Sequence, residues 1–114
     1  MPTIYHNPRC SKSRQTLSLL QDQGIAPEIV LYLETPPSPE TITLLLKKLG
    51  FNARQLLRRG EQEYKDQNLA NASLSEQQLI AAMAKYPKLI ERPIVINGDR
   101  AAIGRPPESV LEIL

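Results

Sequence analysis

A chain of 114 residues is the length of one small domain, and its 41% hydrophobic and 23% charged residues exclude a disordered or fibrous protein. Lys and Arg exceed Asp and Glu by 14 to 12, and a net charge of +2 with four Tyr, one Phe and no Trp offers neither the basic footprint nor the stacking platforms of a nucleic-acid binder. One cysteine excludes an internal disulfide and suits a reducing compartment.

Met1-Pro2-Thr3-Ile4-Tyr5 has neither the basic start nor the apolar run of a secretion signal, and no stretch is long and apolar enough to span a bilayer. The expectation is a cytoplasmic single domain over 1–114 with no membrane partner. Thr3-Ile4-Tyr5 favours a strand, closed by His6-Asn7-Pro8. From Cys10 the spacing of Leu17 and Leu20 predicts a helix stopped by Gly24. Glu28 to Leu33 is nearly continuous in apolar and β-branched residues, which predicts a second strand buried on both faces. Strand, helix and strand in so short a span make a βαβ unit with a parallel pair.

Pro36, Pro37 and Pro39 interrupt the chain; Ser38 is placed to cap a helix that carries Ile42, Leu45, Leu46 and Leu49 and ends at Gly50. Asn52 caps a short turn over Ala53 to Arg59, with Leu56 and Leu57 inward. Gly60 to Ser73 has no clean period and reads as irregular or weakly helical. Ser75 and Gln78 form a capping box before Leu79, Ile80 and Met83, and Pro87 closes that helix. Pro93 to Ile96 and Arg100 to Ile103 read as a hairpin around Asn97-Gly98-Asp99. A terminal helix after Pro106-Pro107 would turn Val110, Leu111 and Leu114 inward. The summed order is βαβ, helices, then ββα. This is an α/β, thioredoxin-like arrangement: a four-stranded mixed sheet flanked by helices, with a helical insertion over about 38–88.

Cys10 stands between a strand and a helix in His6-Asn7-Pro8-Arg9-Cys10-Ser11-Lys12-Ser13-Arg14. A thiol there faces the unpaired N–H groups and positive end of the helix, and Arg9, Lys12 and Arg14, with His6 on the same stretch, add cationic potential. All of these favour the thiolate. A buried cysteine acting as a small hydrophobe would have apolar neighbours, which Cys10 lacks. Ser13 occupies the second cysteine position of a Cys-x-x-Cys redox pair, so any redox cycle must borrow an outside thiol, for which glutathione is the abundant cytosolic candidate. Ser13 reads both as a first-turn residue bonding backbone and as a hydroxyl donor to the sulfur. A Cys-x5-Arg phosphatase loop is excluded, because Arg14 follows Cys10 too soon and the segment lacks glycine.

Eight of the cationic residues are Arg. Arg92 and Arg105 flank the hairpin and should emerge together at its open end, beside the Cys10 loop if the third strand runs antiparallel to the first. Two guanidinium forks near a thiolate suit a tetrahedral oxyanion. Arg58 is a candidate third fork from the helical insertion, whereas Arg54, Arg59 and Arg100 read as solvated surface charges. Arg92-Pro93 is a candidate cis bond.

Taken together, His6-Asn7-Pro8-x-Cys10-Ser11-Lys12-Ser13-Arg14, Tyr32-Leu33-Glu34-Thr35-Pro36-Pro37, Leu57-Arg58, Arg92-Pro93-Ile94-Val95 and Gly104-Arg105-Pro106 resemble the glutaredoxin-coupled arsenate reductases in register from about Thr3 to Leu114. The resemblance implies a thioredoxin-like fold with a helical insertion. It implies that Cys10 attacks arsenate, that Arg58, Arg92 and Arg105 hold the anion, that His6 favours the thiolate and that Ser13 hydrogen-bonds its sulfur. Glutathione would reduce the adduct and glutaredoxin would complete release of arsenite, with no bound cofactor or metal. Well-known members continue past the position of Leu114, and some carry small neutral residues where Ser11-Lys12 stands here. Two other readings share the features. One is a glutathione-dependent oxidoreductase acting on another oxyanion or on mixed disulfides. The other is a polymerase-binding redox regulator of the Spx family, which usually has a second cysteine at the Ser13 position and lacks the Gly104-Arg105-Pro106 feature.

Overall fold

The computed structural model describes residues 1–114 and divides them into two units, Met1–Thr35 with Arg92–Leu114, and Pro36–Glu91. The first unit is built on strands β1 (Thr3–Tyr5), β2 (Glu28–Val30), β3 (Ile94–Asn97) and β4 (Arg100–Ile103), ordered β2-β1-β3-β4. β1 pairs parallel with β2, whereas the β1–β3 and β3–β4 pairs are antiparallel. Helix α1 (Ser11–Asp22) supplies the crossover between the parallel pair. The topology is the thioredoxin-like α/β arrangement expected from the element order.

The register sets the core. Ile4 pairs with Val95, and Val95 with Ala102, so all three point to one sheet face. Ile4, Val95, Leu20 of α1, Val110 and Ile113 close into one buried cluster, with Leu17 and Leu19 packed against it. Val110 and Ile113 belong to a 3₁₀ helix over Pro107–Ile113 that also buries Pro107. At three residues per turn, positions three apart align on one face. The expected terminal face changes accordingly: Leu111 and Leu114 are exposed, and Ile113 takes the inward position. Two side chains from the hairpin hold the end of this 3₁₀ helix. Asn97 Nδ2 donates to the Ile113 carbonyl at 2.7 Å and Arg100 Nη2 to that of Glu112 at 2.8 Å, so Arg100, an exposed charge as expected, also serves as a tie.

Two further expectations are corrected. β2 stops at Val30, and as an edge strand it leaves Glu28 and Ile29 exposed instead of being buried on both faces. The apolar run to Leu33 continues as a turn, in which Glu34 N–H and Thr35 N–H both donate to the Leu31 carbonyl. In the hairpin Asn97 pairs with Arg100, leaving Gly98-Asp99 as a two-residue loop with Gly98 at φ 65°. Gly meets that positive-φ requirement without a Cβ clash.

The second unit is helical: α2 (Pro39–Leu49), α3 (Ala53–Leu56), α4 (Gln62–Asp66) and α5 (Glu76–Lys85), with a 3₁₀ turn over Pro87–Leu89. Ser38 accepts from Thr41 N–H and Gly50 ends α2 in the left-handed conformation, as their residue types require. Asn52–Gln55 and Ser75–Gln78 both form capping boxes. The turn after Asn52 is shorter than expected because Leu57 leaves the helix to bridge Ile90 in antiparallel fashion. Gly60 to Ser73 contains the short α4, and Arg54 ties this stretch down by donating to the Leu69 and Asn71 carbonyls at 2.9 and 2.6 Å. Arg54 is therefore also a tie and not a solvated charge.

Candidate active site

Cys10 is the N-cap residue of α1, and its side chain makes no capping hydrogen bond. Helices prefer Ser, Thr, Asp or Asn there, because a side-chain oxygen accepts from the first-turn N–H groups. A sulfur at that position instead feels the positive end of a 12-residue helix with no acidic residue in its first turn. The loop before it is organised by Asn7. The Asn7 carbonyl accepts from Cys10 N–H at 3.0 Å, and its Oδ1 accepts from Arg9 N–H at 3.0 Å. Arg14 Nη1 donates to the Pro8 carbonyl at 2.8 Å, fastening the loop to the helix it precedes. Cys10 is buried, with 9% of the residue exposed.

The hairpin brings the second component. Arg105 Nη2 donates to Cys10 Sγ at 3.5 Å, and its Nε donates to the Arg92 carbonyl at 2.8 Å. The guanidinium is thus aimed at the sulfur by the backbone on the other side of the hairpin. Gly104 makes the approach possible. A Cβ added there would collide with the Thr16 side chain and lie 2.8 Å from the Pro93 ring. Thr16 itself is fully buried, its hydroxyl donating back to the Lys12 carbonyl at 2.8 Å. The peptide bonds Arg92-Pro93 and Arg105-Pro106 are both cis. The first was expected from the sequence; the second was not. The Arg92 Nε and Nη1 atoms are buried.

His6 and Ser13 form a buried pair, His6 Nδ1 lying 2.6 Å from Ser13 Oγ, and Ser13 Oγ also accepts from Asn7 N–H at 3.0 Å. Burial first, and the Arg14 charge second, hold the His6 imidazole below its ordinary value of 6.5. Both causes favour the neutral imidazole, so His6 adds less cationic potential than its place in the sequence suggests. The hydrogen bond to the sulfur comes from Arg105, while Ser13 joins His6 to the loop.

Cys10, His6, Ser13, Arg92 and Arg105 all belong to the first unit, in which the Arg105 guanidinium reaches both Cys10 Sγ and the Arg92 carbonyl. Arg58 belongs to the second unit, where Glu61 lies 3.2 Å from its Nη1 and Glu91 3.6 Å from its Nε. Its N–H donates to the Leu89 carbonyl at 2.7 Å. Sequence reasoning did not single out Asn7, Thr16 or Gly104 as organisers of the site. The Asn-Pro pair and the glycine preceding Arg105 were the available signals.

Residues 5–113 match the ArsC family. The chain belongs to this family. Among its ArsC relatives, an arsenate reductase of Haemophilus influenzae is 54% identical over 112 residues, covering 97% of each chain. An arsenate reductase of Escherichia coli is 44% identical over 112 residues, 98% of this chain and 79% of that one. The solved structure of an arsenate reductase from Vibrio cholerae superposes with a TM-score of 0.97 at 56% identity, covering 99% of this chain and 97% of that one. At such similarity the ArsC fold is shared over the whole chain, including the strand–loop–helix junction that carries Cys10.

Proposed function

We propose that this ArsC protein is an arsenate reductase whose nucleophile is Cys10. The observation that carries the reading is the Arg105 guanidinium 3.5 Å from a sulfur at the N-terminus of α1. Cationic donors there suit both the thiolate and a tetrahedral oxyanion brought up to it. The named activities of the relatives at 54% and 44% identity support arsenate as that anion.

The chemistry follows from one sulfur and borrowed thiols. The Cys10 thiolate attacks arsenic(V), an arsenate oxygen leaves as water after taking up protons, and a Cys10 S–As bond forms. Glutathione then adds its sulfur to arsenic with loss of a second water. A further thiol, that of glutaredoxin, attacks the glutathione sulfur. The electron pair of the breaking S–As bond passes to arsenic, which becomes arsenic(III), while the two external thiols become a mixed disulfide. Water finally cleaves the Cys10 S–As bond, releasing arsenite and regenerating the thiol. The net reaction consumes two external thiols and produces one disulfide and one water, and it uses no bound cofactor or metal. Arg105 and Arg92 are assigned to the anion, and the His6–Ser13 pair to holding the Cys10 loop. Because these thiols are plentiful in a reducing cytoplasm, that is the compartment proposed for the protein.

The test couples arsenate reduction to NADPH oxidation through glutathione, glutaredoxin and glutathione reductase. Arsenate-dependent turnover is expected in the intact protein and absent in Cys10→Ser. Arg105→Ala should fall by about 10²- to 10³-fold, the scale for removing one preorganised anion donor. If no arsenate-dependent oxidation occurs while a glutathione mixed disulfide is reduced, the reading is replaced by that of a disulfide reductase.

A further inference from the structure

Beside the Cys10 loop lies a cleft of about 260 Å³ lined by Asn7, Pro8, Arg9, Leu31, Leu33 and Glu34. Its walls come from the loops following the parallel strands β1 and β2, which the His6 N–H bond to the Val30 carbonyl at 2.9 Å holds side by side. The volume falls below the ~300–1,000 Å³ of sites that enclose a drug-sized ligand, so the cleft would seat part of a small molecule and leave the rest in water. Pro8, Leu31 and Leu33 supply its apolar lining, and Leu33 is exposed. Arg9 and Glu34 put opposite charges on the same cleft without forming an ion pair within the chain. An exposed cation and anion that line one cleft without pairing are complementary to a ligand carrying both signs.

We infer that this cleft binds the small thiol co-substrate as a charged peptide, its ammonium toward Glu34 and a carboxylate toward Arg9. The inference rests on the proposed reaction, in which a glutathione sulfur must reach arsenic on Cys10. It adds a place for that molecule. Glutathione has the required pieces: an ammonium and two carboxylates separated along an extended backbone, with the sulfur between them. The Asn7-Pro8-Arg9 wall leads directly into Cys10, whose N–H is bonded to the Asn7 carbonyl, so a thiol peptide lying in the cleft is one loop away from the reacting sulfur. An uncharged thiol such as β-mercaptoethanol would use none of these charges.

The experiment separates binding from turnover by using S-methylglutathione, which has no free thiol. Titrated into the intact protein and followed by amide chemical shifts, it is expected to move Asn7, Arg9, Leu31, Leu33 and Glu34. Glu34→Lys and Arg9→Glu should each weaken its binding by about tenfold, the scale of losing and then opposing one partly exposed charge contact. In turnover, Glu34→Lys should raise the KM for glutathione by a similar factor. Shifts confined to another surface, or affinity that both variants preserve, would overturn the assignment while leaving arsenate reduction intact. So would a Glu34→Lys effect on the KM for glutaredoxin alone, which would make the cleft a protein-docking site. If the intact protein forms no arsenite yet S-methylglutathione still binds these residues and loses affinity in both variants, the cleft stands and the reductase reading fails.

Discussion

Cys10 occupies a position where helix chemistry asks for an oxygen acceptor, and the hydrogen bond its sulfur accepts comes from Arg105. A residue that breaks a local rule there is explained by reactivity rather than stability. Cys10→Ser should therefore remove activity while gaining a capping hydroxyl, raising stability by about 0.5–1 kcal/mol in urea denaturation. A loss of stability instead would show that the thiol packs as a core group. His6 gives a second residue-scale prediction. Its imidazole is held below 6.5, chiefly by burial, so unfolding takes up a proton between the depressed value and 6.5. The stabilisation is complete above about 6.5 and is lost as pH falls through the folded-state value. Unfolding free energies measured from pH 7 down to 5 should fall less steeply in His6→Asn than in the intact protein. Parallel curves would remove His6 from the account.

Strand β4 and the segment after it deliver Arg105 through Gly104, which leaves no room for a Cβ against Thr16 and Pro93. Gly104→Ala should cost about 1–3 kcal/mol by overpacking. It should also lower the rate with arsenate, because displacement of this segment moves the guanidinium. Adding Thr16→Ala should recover part of the stability, a coupling measurable by a double-mutant cycle. Additive losses would mean that the two residues do not share one contact. Most elements were legible where a local signal and the fold agree: the caps at Ser38, Asn52 and Ser75, the helix ending at Gly50, and the hairpin. The errors lie where tertiary placement decides. The apolar run from Glu28 looks buried, but β2 is an edge. The terminal segment looked α-helical, and its 3₁₀ period turned Ile113 inward in place of Leu111 and Leu114. Arg54 resembles a surface charge until the carbonyls it serves come into view. That Arg105 reaches Cys10 and the Arg92 carbonyl was readable because antiparallel pairing fixes where a hairpin's ends emerge. Asn7 and Thr16 act through hydrogen bonds and close contacts that leave no periodic trace.

At the scale of the whole molecule, one cysteine among 114 residues means that the proposed redox cycle draws its other thiols from outside. The same fact makes alkylation by iodoacetamide report on Cys10 alone. Mass spectrometry of the alkylation time course, with and without arsenate, therefore tests most directly whether an anion binds against the reactive sulfur. Arsenate should slow modification of the intact protein, and Arg105→Ala should lose that protection while still being alkylated. Equal rates with and without arsenate in the intact protein would contradict an oxyanion site at Cys10.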